Sequence, residues 1–284
     1  MRLGFRLLDV FSVGPFTGNQ LCVVPDAGDV DADTMRSLAR EIGFSESTFV
    51  TAIDDEGYDV RIFTPGKELP FAGHPTLGTA FLLASEGRVA TAVTQRCGSG
   101  SLLVEVEPPA GHGRMRQLPA ELRPPFEDRA SIAAAARLAE DDLHPERPVT
   151  TVTTGLPHTI VPVRDVEALR RAERRGELVA EVTRRTGGES LYLFAEDAEG
   201  ITARMFDPET GVGEDAATGS AAGPLGAYLA QQGIAGMPGS IRIRQGEHVD
   251  RPSVLEVAVE RDRDAWTAWV GGGVRIVGAG EFHL

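Results

Sequence analysis

Two stretches of this chain carry the same small-residue pattern, and that duplication restricts the fold more than any other feature. His74-Pro75-Thr76-Leu77-Gly78-Thr79-Ala80 lines up with Asp215-Ala216-Ala217-Thr218-Gly219-Ser220-Ala221. Upstream, Phe63-Thr64-Pro65 matches Phe206-Asp207-Pro208. Further back, the run from Thr17-Gly18 to Val24-Pro25 matches the run from Thr154-Gly155 to Val161-Pro162. A weaker echo joins Ser45-Glu46-Ser47-Thr48-Phe49 to Gly188-Glu189-Ser190-Leu191-Tyr192. Matches kept in one order point to an internal duplication, and two repeats are too few for a solenoid. They fit two similar domains facing each other across a cleft, each contributing one helix N-terminus.

Each repeat leads into a helix without a polar face. The first runs from Thr76 to Ser85 through Leu77, Ala80, Phe81, Leu82 and Leu83, with Gly87 as its C′ residue. The second runs from Gly219 through Leu225, Tyr228 and Leu229 to about Gln232, ahead of Gly233. Pro224 lies inside it, where a proline kinks a helix at a cost of about 3 kcal/mol. A helix that is apolar all round is buried. Strand-like runs surround both helices, near 5–12, 20–25, 45–50, 58–64, 89–95 and 101–107, then 149–163, 190–195, 201–206, 240–245, 253–259, 266–270 and 274–278. An amphipathic helix capped by Asp31 or Asp33 buries Met35, Leu38, Ala39 and Ile42 and stops at Gly43. Further helices are expected over Ala130 to Ala139 and in the charged, exposed region from Asp165 to Arg185, interrupted at Gly176.

The reading is an α+β fold of two pseudo-symmetric domains, each a curled, mostly antiparallel sheet around a central helix. Residues 108–127 are rich in Pro, Gly and Arg and suit a linker. The domains are therefore expected at 1–118 and 128–273, with 274–284 a strand that can return to the first.

Bulk properties exclude several classes. With 284 residues the chain can bury two cores of ordinary size. A net charge of −14 argues against nucleic acid and anionic membrane as partners. Residues Met1 to Asp9 read as a first strand rather than a signal peptide, and no apolar run reaches transmembrane length. The two cysteines, Cys22 and Cys97, are too few for a disulfide scaffold and suggest a cytoplasmic protein.

Chemistry-bearing residues are few. Glu46 stands at the mouth of a strand among small hydroxyl residues, although most glutamates are simply solvated. His74 precedes a proline, commonly a loop position. Asp215 or Thr218 could do no more than cap the second helix. The other histidines lack metal-ligand spacing, and no dinucleotide fingerprint, Walker motif or nucleophile elbow is present. Glu46, His74 and Asp215, together with two helix starts that favour an anion, suit proton transfer on a small carboxylated molecule without metal or cofactor.

The blocks Glu41 to Phe49, Arg61 to Pro65, Glu68 to Pro75, Gly213 to Ala221, and Gln245-Gly246 with Arg251-Pro252-Ser253 together resemble the phenazine-biosynthesis PhzF-like family. The resemblance implies the diaminopimelate-epimerase fold, a homodimer and an active-site cleft between the domains. It implies Glu46 as the single general base and acid, its pKa raised by burial, acting on trans-2,3-dihydro-3-hydroxyanthranilate. His74 and Asp215 would hydrogen-bond the substrate's polar groups. Ser220 and the backbone N–H groups of Gly73 and Gly219 would hold its carboxylate, with Asn19 and Ser45 beside them. Epimerase relatives carry a cysteine at each helix start. Neither loop does here, which disfavours a two-thiol racemase. Many members have Pro where this chain has Gln20, and Gly where it has Asp250. Two other readings stand beside the isomerase. One is an epimerase or dehydratase of another small acid. The other is a non-catalytic ligand-binding protein of the same fold.

Overall fold

The computed structural model describes residues 1–208, 213–234 and 236–284. The glycine-containing turn expected ahead of Glu214 falls on 209–212 and lies outside the described residues. The chain forms two compact units, Met1–Arg116 with Gly271–Leu284, and Gln117–Val270.

The first unit is built from β1 (Arg2–Val10), β2 (Asn19–Val24), α1 (Ala32–Ile42), β3 (Glu46–Asp54), β4 (Gly57–Phe63), β5 (Glu68–Leu69), α2 (Gly73–Ser85), β6 (Ala92–Cys97), β7 (Gly100–Glu107) and β8 (His112–Arg116). Asp31 caps α1 by accepting the Thr34 N–H at 2.9 Å, and Gly43 closes it in the left-handed region. One face of α1 buries Met35, Leu38 and Ala39 with Leu3, Val24, Phe49 and Phe63. The other helix, α2, is buried from Gly73 to Leu83 and packs against β1, β2, β3, β6, β7 and β8. It starts at Gly73, not Thr76, so His74 sits in the first helical turn rather than in a loop. Pro75 is tolerated there because the first N–H groups of a helix have no intrahelical partner.

The second unit comprises β9 (Glu121–Leu122), α3 (Arg129–Ala135), β10 (Thr150–Thr153), β11 (Pro157–Pro162), α4 (Val166–Arg171), α5 (Gly176–Thr186), β12 (Leu191–Asp197), β13 (Gly200–Phe206), β14 (Glu214–Asp215), α6 (Gly219–Gln232), β15 (Gly239–Gln245) and β16 (Ser253–Asp262). The last strand, β17 (Ala265–His283), leaves this unit at Val270 and ends in the first. Helix α3 is shorter than its sequence suggests because Arg137 takes a positive φ of 53°. The charged region is two helices, with Gly176 opening the second, and Leu169, Val179 and Val182 are buried against β12 and β13. The expected linker holds β8 and β9. Strands 266–270 and 274–278 are one continuous strand. Its glycines mark close approach instead of a break, since a Cβ on Gly271 would lie 2.6 Å from the Gly113 carbonyl.

Helix α6 is buried from Gly219 to Ala230 and continues through Pro224. Its seat against β16 is tight. A Cβ on Gly226 would stand 2.7 Å from Val257 Cγ1 and 2.8 Å from Val259 Cγ2, and valines are stiff at χ1. Gly226→Ala is therefore expected to cost about 1–3 kcal/mol by overpacking, read as a lower urea midpoint. An unchanged midpoint would contradict this seating.

Strand registers within each unit correct the alignment of the repeats. Ser47 pairs with Phe63 in the first unit, and Leu191 pairs with Phe206 in the second. Phe63 then pairs with Glu68, and Phe206 with Glu214. Glu68 thus corresponds to Glu214, and five residues later Gly73 corresponds to Gly219. His74 corresponds to Ser220, not Asp215, and Glu46 corresponds to Ser190, not Glu189. The turn closed by Thr64 N–H to Lys67 O is longer in the second unit, where Asp207 N–H reaches Gly213 O. That insertion shifts the alignment. Two matched sets of ion pairs support the correspondence. Arg61–Glu68 and Arg204–Glu214 are both bidentate, with the guanidinium over Phe63 and Phe206 respectively. Arg96–Asp54 corresponds to Arg244–Asp197 in the same way.

Candidate active site

In the first unit, the parallel pairing of Leu21 with Glu46 puts Glu46 at the first residue of β3, beside the start of β2. Gly18 fixes where β2 begins. Its φ is +81°, and a Cβ would meet Val10 O at 2.5 Å. Asn19, the first residue of β2, places its amide nitrogen 3.1 Å from His74 Nδ1, and Ser45 donates to the Asn19 amide oxygen at 3.4 Å. His74, the second residue of α2, turns Nε2 toward Glu46 Oε2 at 3.5 Å. That distance is too long for a good hydrogen bond, and Nε2 is buried without one. An amide donating to Nδ1 favours the ring proton on Nε2, facing the carboxylate.

Burial pushes the His74 imidazolium down to about 3, against a smaller opposing effect of the Gln20 backbone. The ring is neutral at physiological pH. Asn19, Ser45, Glu46, Gly73 and His74 therefore come together. The Gln20 side chain is exposed, while its backbone faces His74.

In the second unit, Asp215 ends β14 and accepts the Thr218 hydroxyl at 2.7 Å. Gln245 ties the segment down. Its amide donates to Asp215 O and Thr218 Oγ1, both at 2.9 Å, while its oxygen accepts from Thr218 N–H at 3.2 Å and from Tyr192 at 2.9 Å. Burial, and secondarily the charge on Asp215, push the Tyr192 phenol up, so it remains a donor. No side chain caps α6, nor α2. Thr218 occupies the N-cap position of α6, and its hydroxyl goes to Asp215 instead. Asp250 takes the left-handed conformation, φ 55°, that glycine favours at this place.

Sequence reasoning assigned no role to His158 or Ser190. His158 lies between two serines, with Nδ1 2.8 Å from Ser190 Oγ and Nε2 3.0 Å from Ser220 Oγ. It is 2% exposed, and burial pushes its imidazolium down to about 3. With the registers aligned, the signal was there: Ser190 occupies the place of Glu46 and Ser220 that of His74.

Two histidines held neutral make stability depend on pH. Their folded pKa values lie below the unfolded value of about 6.5, so the unfolded chain binds the extra protons. Nothing is lost above pH 6.5. Between there and about pH 3, each costs up to about 1.4 kcal/mol per pH unit. Urea titrations between pH 7.5 and 5 should show this loss, and His74→Asn should lower its slope by about one proton. An unchanged slope in the variant would contradict a neutral His74.

Fold and site together define a sheet-rich, mixed α/β protein with few helices, of the racemase and PhzF structural type. A hydroxyproline epimerase from Agrobacterium vitis, 12% identical, shares the fold with a TM-score of 0.69, covering 100% of this chain and 93% of the other. The family model described as phenazine biosynthesis-like protein matches residues 8–277, and the chain belongs to that family. It is 33% identical over 258 residues to the trans-2,3-dihydro-3-hydroxyanthranilate isomerase of Pseudomonas aeruginosa, covering 90% of each chain. A solved structure, a "Predicted Epimerase" of Pseudomonas aeruginosa, is 36% identical with a TM-score of 0.88 over 99% of each chain. Relatives in this family are named isomerases and epimerases. Among the described residues no helix is long and apolar enough to cross a membrane.

Proposed function

We propose that the protein is a cofactor-independent isomerase that moves a proton on a small cyclic amino or hydroxy carboxylic acid, with trans-2,3-dihydro-3-hydroxyanthranilate as the substrate. The observation that carries this reading is the Glu46 carboxylate at 3.5 Å from the neutral, buried ring of His74. The Glu46 carboxylate takes a proton from C3 of the ring. The resulting carboxylic acid returns it at another ring carbon, and the enol so formed becomes a ketone. One glutamate serves both steps when its surroundings bring its pKa toward neutrality. His74 donates from Nε2 to a polar group of the substrate, and Asn19, backed by Ser45, holds the imidazole in that form. Asp215 takes a second polar group. Ser220 and the N–H groups of Gly73 and Gly219 hold the carboxylate.

Thiol chemistry has little support. Burial pushes the Cys22 thiol up to about 12, and the residues at the two helix starts are His74 and Ser220. The proposal also takes the two units as products of a duplication, each a sheet around one apolar helix, and the protein as a cytoplasmic homodimer. Epimerisation of another small acid by Glu46 is the second reading, motivated by the relative named an epimerase.

Turnover separates the two. The isomerase should convert trans-2,3-dihydro-3-hydroxyanthranilate in heavy water, with a new ring carbon–deuterium bond in the proton NMR spectrum. Loss of chirality in another acid with no reaction of this one would favour the epimerase.

A further inference from the structure

The second unit contains a buried, titratable group that the proposed proton transfer does not use. His158 reaches a serine through each ring nitrogen, and both serines are buried with it. A neutral imidazole has one N–H and one lone pair, so it must donate to one serine and accept from the other. Burial keeps this ring neutral. Two arrangements follow. With the proton on Nε2, Ser190 donates to Nδ1, the ring donates to Ser220 Oγ, and the Ser220 hydroxyl hydrogen is free to point away from the ring. With the proton on Nδ1, Ser220 must donate back to the ring, and only its lone pairs remain.

A carboxylate accepts hydrogen bonds and does not donate them. It therefore selects the first arrangement. We infer that His158 is a positioning residue that turns the Ser220 hydroxyl into a hydrogen-bond donor for a substrate carboxylate, with Ser190 setting the imidazole tautomer. This rests on the carboxylate reading of Ser220 given above. The chain Ser190 O–H to Nδ1, Nε2–H to Ser220 Oγ, Ser220 O–H to carboxylate aligns three donors in one direction, and such chains strengthen each member. It ends at the second residue of α6, where no side chain caps the helix.

The register comparison gives this arrangement its context. Ser190 and Ser220 stand where the first unit has Glu46 and His74. His158 falls at the position of Leu21 in the matching strand pair, since Leu21 pairs with Glu46 and Thr159 pairs with Leu191. The two units therefore fill equivalent places with different chemistry. The first holds a carboxylate that can take a proton. The second holds a neutral relay that can only orient hydrogen bonds.

The test is calorimetric titration with anthranilate, a stable aromatic amino carboxylate, on the full chain. Ser220→Ala should weaken binding about tenfold, the scale of a lost hydrogen bond to a charged group. His158→Asn keeps an amide near Nδ1 but loses the contact with Ser220, and should weaken binding equally. His158→Gln places an amide near Nε2 and should bind within about threefold of wild type. The His158→Asn/Ser220→Ala double variant should be no worse than Ser220→Ala alone. Long-range proton–nitrogen NMR of the wild type should show His158 as the Nε2–H tautomer. If Ser220→Ala weakens binding while His158→Asn and His158→Gln both match wild type, or if the tautomer is Nδ1–H, the inference is overturned. If Ser220→Ala binds like wild type, or wild type does not bind, the carboxylate reading fails first and the role of His158 falls with it.

Discussion

Glu214→Ala is expected to lower stability by about 3–5 kcal/mol, the cost of stranding a buried charge. The Arg204 and Glu214 side chains are only 7% and 14% exposed, and Arg204 donates to both carboxylate oxygens at 2.8 and 2.6 Å. The same guanidinium donates to the Leu169 and Ala172 carbonyls at 3.0 and 2.6 Å, closing the C-terminal end of α4. Removing Glu214 leaves this cation with carbonyl dipoles and no counter-charge. The corresponding pair, Arg61–Glu68, has the same fork geometry, but its side chains are 35% and 43% exposed. Glu68→Ala should cost only about 0–1 kcal/mol, because water screens the charge. Urea denaturation of the two variants checks the contrast. Replacing both partners, as in Arg204→Met/Glu214→Ala, strands no charge but leaves the Leu169 and Ala172 carbonyls without their donor, so it should recover only part of the loss. Equal costs for Glu214→Ala and Glu68→Ala would show that burial is not what separates the pairs.

The mixed α/β architecture was legible because its signals are local. Two helices without a polar face and a succession of β-branched runs leave few other ways to bury the apolar residues. The first-unit cluster was legible as a set of residues, since Glu46 and His74 interrupt small or apolar surroundings. What brings them within 3.5 Å was not. It depends on the parallel pairing of β2 with β3 and on α2 starting three residues earlier than its apolar pattern begins.

The register of the duplication was misread for a definable reason. Gly-Thr-Ala in one repeat resembles Gly-Ser-Ala in the other, and matching them slides the second repeat by five residues. Backbone pairing at Phe63–Glu68 and Phe206–Glu214 removes the slide. In a strand, a one-residue slip reverses which side chains face inward, so aligning Glu46 with Glu189 instead of Ser190 concealed the relay through His158.

Glu46→Gln carries the largest expected effect on activity. Glutamine keeps the size and hydrogen-bonding reach of the side chain but cannot take a proton from carbon. Loss of a general base typically costs about 10²–10⁴ in rate. In the proposed mechanism Glu46 is base and then acid, so the variant should lie at the upper end of that range. The fold should be little affected, because glutamine keeps the size of a side chain that is partly exposed, 18%. His74 is neutral at the pH of the assay, so its ring carries no charge to strand. Glu46→Asp shortens the side chain by one methylene and should retain part of the activity, limited by reach rather than by proton affinity.

The decisive measurement is the turnover of trans-2,3-dihydro-3-hydroxyanthranilate in heavy water by wild type and Glu46→Gln, followed by proton NMR. Conversion with deuterium incorporation by wild type, and its loss in a variant with the wild-type Tm, is the predicted result. Conversion by both would contradict Glu46 as the proton carrier. No conversion by wild type would contradict the substrate.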